Sequence, residues 1–219
     1  MGAITVDTIN PKVRAMEYAV RGAIVTRAGE LETQLKKDPA SLPFDKIVMC
    51  NIGNPQSVGQ KPITFYRQVL ALTDSPQLMD APEAGKLFPS DVISTAKHIL
   101  ENMKGGTGAY SESKGVAALR QMVADGIEAR DGGHKCNIDD LWLTDGASVA
   151  CHYIMKTLIR DGNDGVMVPI PQYPLYSASL ALYGGTLVPY YLDEDKEWGL
   201  DVADLKVQLD KARAAGKEV

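Results

Sequence analysis

The stretch Leu141–Tyr176, LWLTDGASVACHYIMKTLIRDGNDGVMVPIPQYPLY, limits the possible folds more than any other part of this chain. It reads as a short apolar strand, a tight turn at Asp145–Gly146–Ala147–Ser148, an amphipathic helix, a second apolar strand and a proline-framed aromatic loop. A strand–turn–helix–strand unit of this kind builds parallel sheets. Its turn opens straight into a helix, so unused backbone N–H groups and the positive end of a helix dipole converge there with the Ser148 hydroxyl. Such a point suits a dianion, for instance a phosphate monoester. On residue chemistry alone Ser148 also reads as an ordinary helix cap, and Tyr173 as half-buried packing.

The rest of the chain extends the alternation of helix and strand. Asn10–Pro11 places a cap and then proline at a first helical position. Val13, Met16, Val20, Ala23, Ile24, Leu31 and Leu35 then recur at helical spacing as far as Asp38–Pro39, which predicts one long helix. Lys46–Cys50 (KIVMC) predicts a short strand leading into the Asn51–Gln56 loop. Two helices follow at Pro62–Thr73 and Asp91–Met103, the second capped by Ser90 or Asp91, with Leu72–Phe88 an irregular surface excursion. Lys114–Arg130 predicts an amphipathic helix with an apolar stripe through Val116, Leu119, Met122, Val123 and Ile127, ended by Asp131–Gly132–Gly133. After the central unit, Pro174–Tyr183 predicts a helix closed by Gly184–Gly185. Thr186–Leu192 predicts a strand in which Pro189 suits an edge. Asp201 or Asp204 opens a last helix, after which a further strand would complete the unit.

Several patterns of residues point to no chemistry. The glycine cluster Gly105–Gly108 lacks the GxGxxG frame and does not follow a strand, which places a nucleotide-binding Rossmann domain last. Ser111–Lys114 spells S-x-x-K, but neither S-D-N nor K-T-G accompanies it. His134 and Cys136 share a loop, and two residues do not make a metal site. His98 lies within a helix and reads as packed or solvated.

Two strings carry more information than their physics. LTDGAS followed by PIPQYPLYSA closely resembles the alanine aminotransferases, pyridoxal-phosphate enzymes of the aspartate aminotransferase fold. IGNPQ, GAYSESKG and VPYYLDED extend the resemblance over most of the chain. The resemblance implies the N-terminal part of a fold type I aminotransferase, α/β, with a mostly parallel sheet flanked by helices. Family chains are about twice this long, so the expectation is a fragment: residues 1–62 an N-terminal arm and small-domain segment, 63–219 the first half of the large cofactor-binding domain.

The resemblance also implies roles. Gly146, Ala147 and Ser148 would hold the phosphate of pyridoxal 5'-phosphate, and Tyr173 would stack on its pyridine ring. Tyr110 would cross a homodimer interface to the neighbour's cofactor phosphate. The backbone N–H of Gly53 would meet the substrate carboxylate. No catalytic residue is assigned, because the family's catalytic lysine, pyridinium-binding aspartate and carboxylate-clamping arginine match nothing in this sequence. The implied reaction exchanges an amino group between L-alanine and 2-oxoglutarate. Glutamate–glyoxylate aminotransferase and a non-catalytic phosphate-binding module are the alternatives.

Composition narrows the partners. Lys+Arg of 23 against Asp+Glu of 28 gives a net charge of −5, which disfavours nucleic acid or an anionic membrane as the main partner. No apolar run reaches membrane-spanning length. Three widely spaced cysteines, Cys50, Cys136 and Cys151, suit a reducing compartment better than a disulfide framework. The expected location is the cytoplasm, with an organelle, including the peroxisome, left open.

Overall fold

Side-chain caps at Asn10 and Asp201 start the first and last α-helices, as the sequence predicts. The computed structural model, which describes residues 4–18, 20 and 22–219, gathers the chain into two units: Met1–Gly53 with Gly146–Val219, and Asn54–Asp145.

The first unit begins with α1 (Pro11–Ala15), where the Asn10 side chain accepts the Lys12 N–H at 2.9 Å and Pro11 occupies the first turn. The single long helix expected through Leu35 is broken: α1 stops at Ala15, and α2 (Ala23–Lys37) restarts after Gly22. Apolar spacing runs across the break, but periodicity cannot see that the chain between is drawn away by distant contacts. The strand expected at Lys46–Cys50 joins no sheet, and Val48 and Met49 lie exposed. β-propensity makes a strand only where a neighbour offers a hydrogen-bonding ladder.

The second unit is helical, with α3 (Thr64–Asp74), α4 (Ala84–Leu87), α5 (Ser90–Glu101) and α6 (Ala117–Arg130). Val69 and Leu72 of α3 pack with Val92 and Ala96 of α5, ringed by Phe65, Met79, Phe88, Ile93 and Ile99. The excursion between α3 and α5 is more ordered than expected, holding a 3-10 turn at Pro76–Asp80 and α4. Pro89, not Ser90 or Asp91, stands at the α5 N-cap, while Asp91 accepts the N–H of Val92 at 2.9 Å. α6 also departs from its expected stripe: it buries Arg120 and Ala124 and leaves Met122 and Val123 exposed. Leu141–Thr144, expected as the first strand of the central stretch, is extended but enters no sheet; Leu143 N–H donates to Lys114 O at 2.9 Å.

The remainder of the first unit is α7 (Ala147–Leu158), β1 (Gly165–Ile170), α8 (Leu175–Tyr183), β2 (Thr186–Asp193), β3 (Gly199–Leu200) and α9 (Val202–Ala214). β1 and β2 are parallel, from Gly165 opposite Thr186 to Ile170 opposite Tyr191. β3, which sequence reasoning missed, pairs antiparallel with β2 only at Leu192 and Asp193. Pro189 therefore faces β1 on one side and no described strand on the other, as its missing N–H requires. On the opposite edge of β1, Gly165 N–H donates to Glu218 O and Glu218 N–H to Asn163 O.

Met155 of α7 and Ile159 just after it pack with Val168 of β1 and Leu180 of α8 over this sheet. Gly184, at φ 83°, closes α8 as expected, and Asp201 caps α9 by accepting from Ala203 and Asp204. Asp204 in turn accepts the Tyr191 N–H at 2.8 Å, fastening α9 to β2. The result is an α/β fold with a parallel pair of strands flanked by helices, the class predicted.

Candidate functional site

The start of α7 is set by one residue. Gly146 is its N-cap at φ 87°, ψ 161°, a region in which an L side chain is strained. A Cβ there would meet nothing within 4 Å, so conformation rather than space demands glycine. This turn presents exposed Ala147 and Ser148 as the first two residues of a twelve-residue helix. Their N–H groups have no intrahelical acceptor, and the helix dipole adds positive potential at the same place.

Packing decides where this helix end lies. A short turn after Leu158 reverses the chain, and α7, about 18 Å long, lies back along β1, about 20 Å long. The reversal turns α7 against the direction of β1, with Met155 and the following Ile159 packed on Val168. Its N-terminus thus comes to the carboxyl end of the strand, where α/β sheets bind ligands. His152 Nδ1 and the Tyr183 hydroxyl, 3.0 Å apart, pin α7 to α8.

Tyr173 leaves that same end of β1 on the loop Pro171–Gln172–Tyr173–Pro174. Its ring is half exposed and lines an open cleft of about 530 Å³ together with Tyr18, Val20, Asn51, Ile52 and Gly53. Across this cleft the two tyrosines meet edge to face, ring centres 6.0 Å apart at 81°, and the Tyr18 hydroxyl donates to the Tyr173 hydroxyl at 2.5 Å. The Asn51 amide donates to Val20 O at 3.0 Å, fastening the glycine loop to the chain before α2. Gln172 buries its Oε1 without a hydrogen-bond partner among the described residues. Gly53 and Tyr173 are therefore brought to one cleft, and Gly146–Ser148 to the same end of the same sheet.

Tyr110 belongs to the other unit, where its side chain is fully exposed. The turn after it is held by Arg120, which is 4% exposed. Arg120 donates to Gly115 O at 3.0 Å, Ile138 O at 2.5 Å and the Glu112 carboxylate at 3.0 Å. Gly115, at φ 96°, lies so close to Leu143 that a Cβ would stand 2.8 Å from its Cδ1. Sequence reasoning gave Arg120 no role; a buried guanidinium on three acceptors is a structural post, and periodicity reads it only as a break in an apolar stripe. Tyr18 was passed over as well, one aromatic among the spaced apolar residues of an expected helix. Among the described residues no helix is long and apolar enough to cross a membrane, and no three His, Cys, Asp or Glu residues gather as metal ligands.

A planar aromatic phosphate ester fits the donors that these elements present. Helix N–H groups and a serine hydroxyl suit its phosphate, and a half-exposed phenol ring suits its π-face.

Comparison with known proteins identifies the family. The profile of the class I and II aminotransferases matches residues 81–219. Alanine aminotransferase 2 of Panicum miliaceum is 56% identical over 99% of this chain, which covers 45% of that protein. Glutamate–glyoxylate aminotransferase 1 of Arabidopsis thaliana is 49% identical over 98% of the chain and 42% of its own length. The alanine aminotransferase of Pyrococcus furiosus superposes with a TM-score of 0.64 at 24% identity, over 90% of this chain and 40% of that one, a likeness of fold. The chain thus spans less than half the length of the curated relatives it matches. A likeness of fold and a profile match over most of the chain agree: this chain belongs to the class I and II aminotransferases, a family of pyridoxal-phosphate-dependent enzymes.

Proposed function

We propose that the protein to which this chain belongs transfers the amino group between L-alanine and 2-oxoglutarate, giving pyruvate and L-glutamate. The observation that carries this reading is the cradle Gly146–Ala147–Ser148 at the start of α7, opening at the same sheet end as the Tyr173 cleft. Identity favours alanine over glyoxylate as the specific pair, 56% against 49% in the relatives above. When bound, pyridoxal 5'-phosphate supplies the electron sink that amino-group transfer needs.

The residues of this chain bind and orient. Backbone N–H groups of Ala147 and Ser148, with the Ser148 hydroxyl, hold the phosphate dianion through charge-assisted hydrogen bonds. The Tyr173 ring would stack on the pyridine face and orient it. Gly53, on the same cleft, offers its N–H to the substrate carboxylate. Tyr110, fully exposed in this chain, would reach across a homodimer interface to the neighbour's phosphate. No lysine of this chain is assigned the catalytic role in this reading. Residues 1–62 form the arm and small-domain segment in this reading, and 63–219 the first half of the large domain. The proposed compartment is reducing, the cytoplasm or an organelle.

Coupled assays of the natural gene product test the proposal. Pyruvate released from L-alanine and 2-oxoglutarate, with Ser148→Ala weakening cofactor binding about tenfold, is the expected outcome. Glycine formed from glutamate and glyoxylate in place of pyruvate would assign the protein to the glyoxylate enzymes. Cofactor binding with neither product would make it a binding module.

A further inference from the structure

Tyr18, the partner of Tyr173 across the cleft, has no role in the reading above. Tyr18 lies 155 positions before Tyr173, between α1 and α2, yet its hydroxyl donates to the Tyr173 hydroxyl at 2.5 Å. Their rings meet edge to face. We propose that Tyr18 is a positioning residue for the Tyr173 ring, holding it ready to stack on the pyridine ring of an aromatic phosphate ester. This inference deepens the proposed function and rests on it.

The physical case starts from exposure. Tyr173 is 50% exposed on a loop, so packing alone leaves its side chain more than one staggered rotamer. Stacking on a planar ligand requires a single one, and choosing it costs binding energy unless it has been chosen beforehand. The backbone on either side is stiffened by Pro171 and Pro174, which aims the base of the side chain. Only a contact at the far end fixes the ring itself, and the Tyr18 hydroxyl supplies one. Rotation of Tyr173 about χ1 would sweep its hydroxyl away from that partner.

Tyr18 has its own supports. α1, just before it, is held to the end of α8 by Lys12, whose ammonium donates to Tyr183 O at 3.3 Å. Just after it, Val20 O accepts the Asn51 amide at 3.0 Å. The segment is therefore fastened on both sides of the phenol. This gives the interruption between α1 and α2 a purpose: a continuous helix would carry Tyr18 through helical geometry instead of delivering it to the cleft.

The test uses pyridoxamine 5'-phosphate, which binds without a covalent bond, on the natural gene product and three variants: Tyr18→Phe, Tyr173→Phe and the double variant. Each single phenylalanine keeps its ring and removes the shared hydrogen bond, so each weakens binding about three- to tenfold. If Tyr18 acts through Tyr173, the double variant is no weaker than either single one. Unchanged binding in Tyr18→Phe overturns the proposal, and so do two losses that multiply.

A second readout needs no ligand. With 13C-labelled tyrosine, the Tyr173 ring signals, assigned by their loss in Tyr173→Phe, show one ordered conformation that Tyr18→Phe converts to rotamer averaging. Ring order unchanged by Tyr18→Phe overturns the proposal even where the unaltered protein fails to bind pyridoxamine phosphate. That last failure strikes the functional reading instead.

Discussion

At the scale of single residues, Gly146 carries the sharpest constraint on the site. Its φ of 87° with ψ of 161° is open to glycine and costly to any L side chain, though nothing crowds the position. Gly146→Ala should therefore destabilise the chain by about 1–3 kcal/mol through backbone strain alone, read as a shift in the urea midpoint at constant slope. A variant as stable as the original would mean that the turn relaxes, and the helix start with it. The turn at Gly146 that starts α7 and the proline-framed loop carrying Tyr173 were legible because both lie in contiguous strings with clear turn chemistry. Tyr18 and Arg120 were not. The partner of Tyr18 lies 155 positions away, and Arg120 is held by two carbonyls and a carboxylate that only the folded turn assembles. A hydrogen bond across 155 positions leaves no local trace in a sequence.

Elements divide by where their partners lie. Helices closed by their own neighbours were legible: Asn10–Pro11 starts α1, Gly184 ends α8 and Asp201 caps α9. Segments whose state depends on a second segment were not. KIVMC and LWLT have strand composition but no ladder, and β3 exists only because Leu200 finds Leu192. α7 and α8 show how the same packing governs stability. Leu180 is 1% exposed among Met155, Ile159 and Val168, whereas Ile154, one residue before Met155, is 60% exposed. Leu180→Ala should cost about 2–5 kcal/mol by leaving a cavity, and Ile154→Ala well under about 1 kcal/mol. Chemical denaturation of the two variants side by side checks this; equal losses would mean that the α8 core is not where the unit is held together.

For the whole molecule, stability at low pH depends on carboxylates spread over both units. Arg160 is the main cause that holds Asp164 well below the usual carboxylate range, through side-chain and backbone hydrogen bonds. Arg160 also pairs with Glu218, so this one guanidinium ties the start of β1 to the bridging segment on its edge. Lys135 lowers Glu128 by its hydrogen bond, Lys196 does the same for Asp193, and the Tyr191 N–H leads in lowering Asp204. Each of these groups releases its proton more readily when folded than when unfolded, where carboxyls titrate near about 4. The unfolded chain therefore binds more protons in that range, and stability must fall as pH falls. Full stability is expected above about pH 5, with a progressive loss as pH drops through 4 and below toward the depressed native values. Exposed partners such as Lys135 and Lys196 contribute little at neutral pH, where salt screens them. Asp164 is the best placed to dominate, because its side chain is only 13% exposed and accepts from both the backbone and the side chain of Arg160. Asp164→Asn keeps the shape and removes the titrating group, so its melting temperature should fall less steeply between pH 5 and 3 than that of the original chain. An identical pH slope in the two proteins would move the acid sensitivity to the other carboxylates.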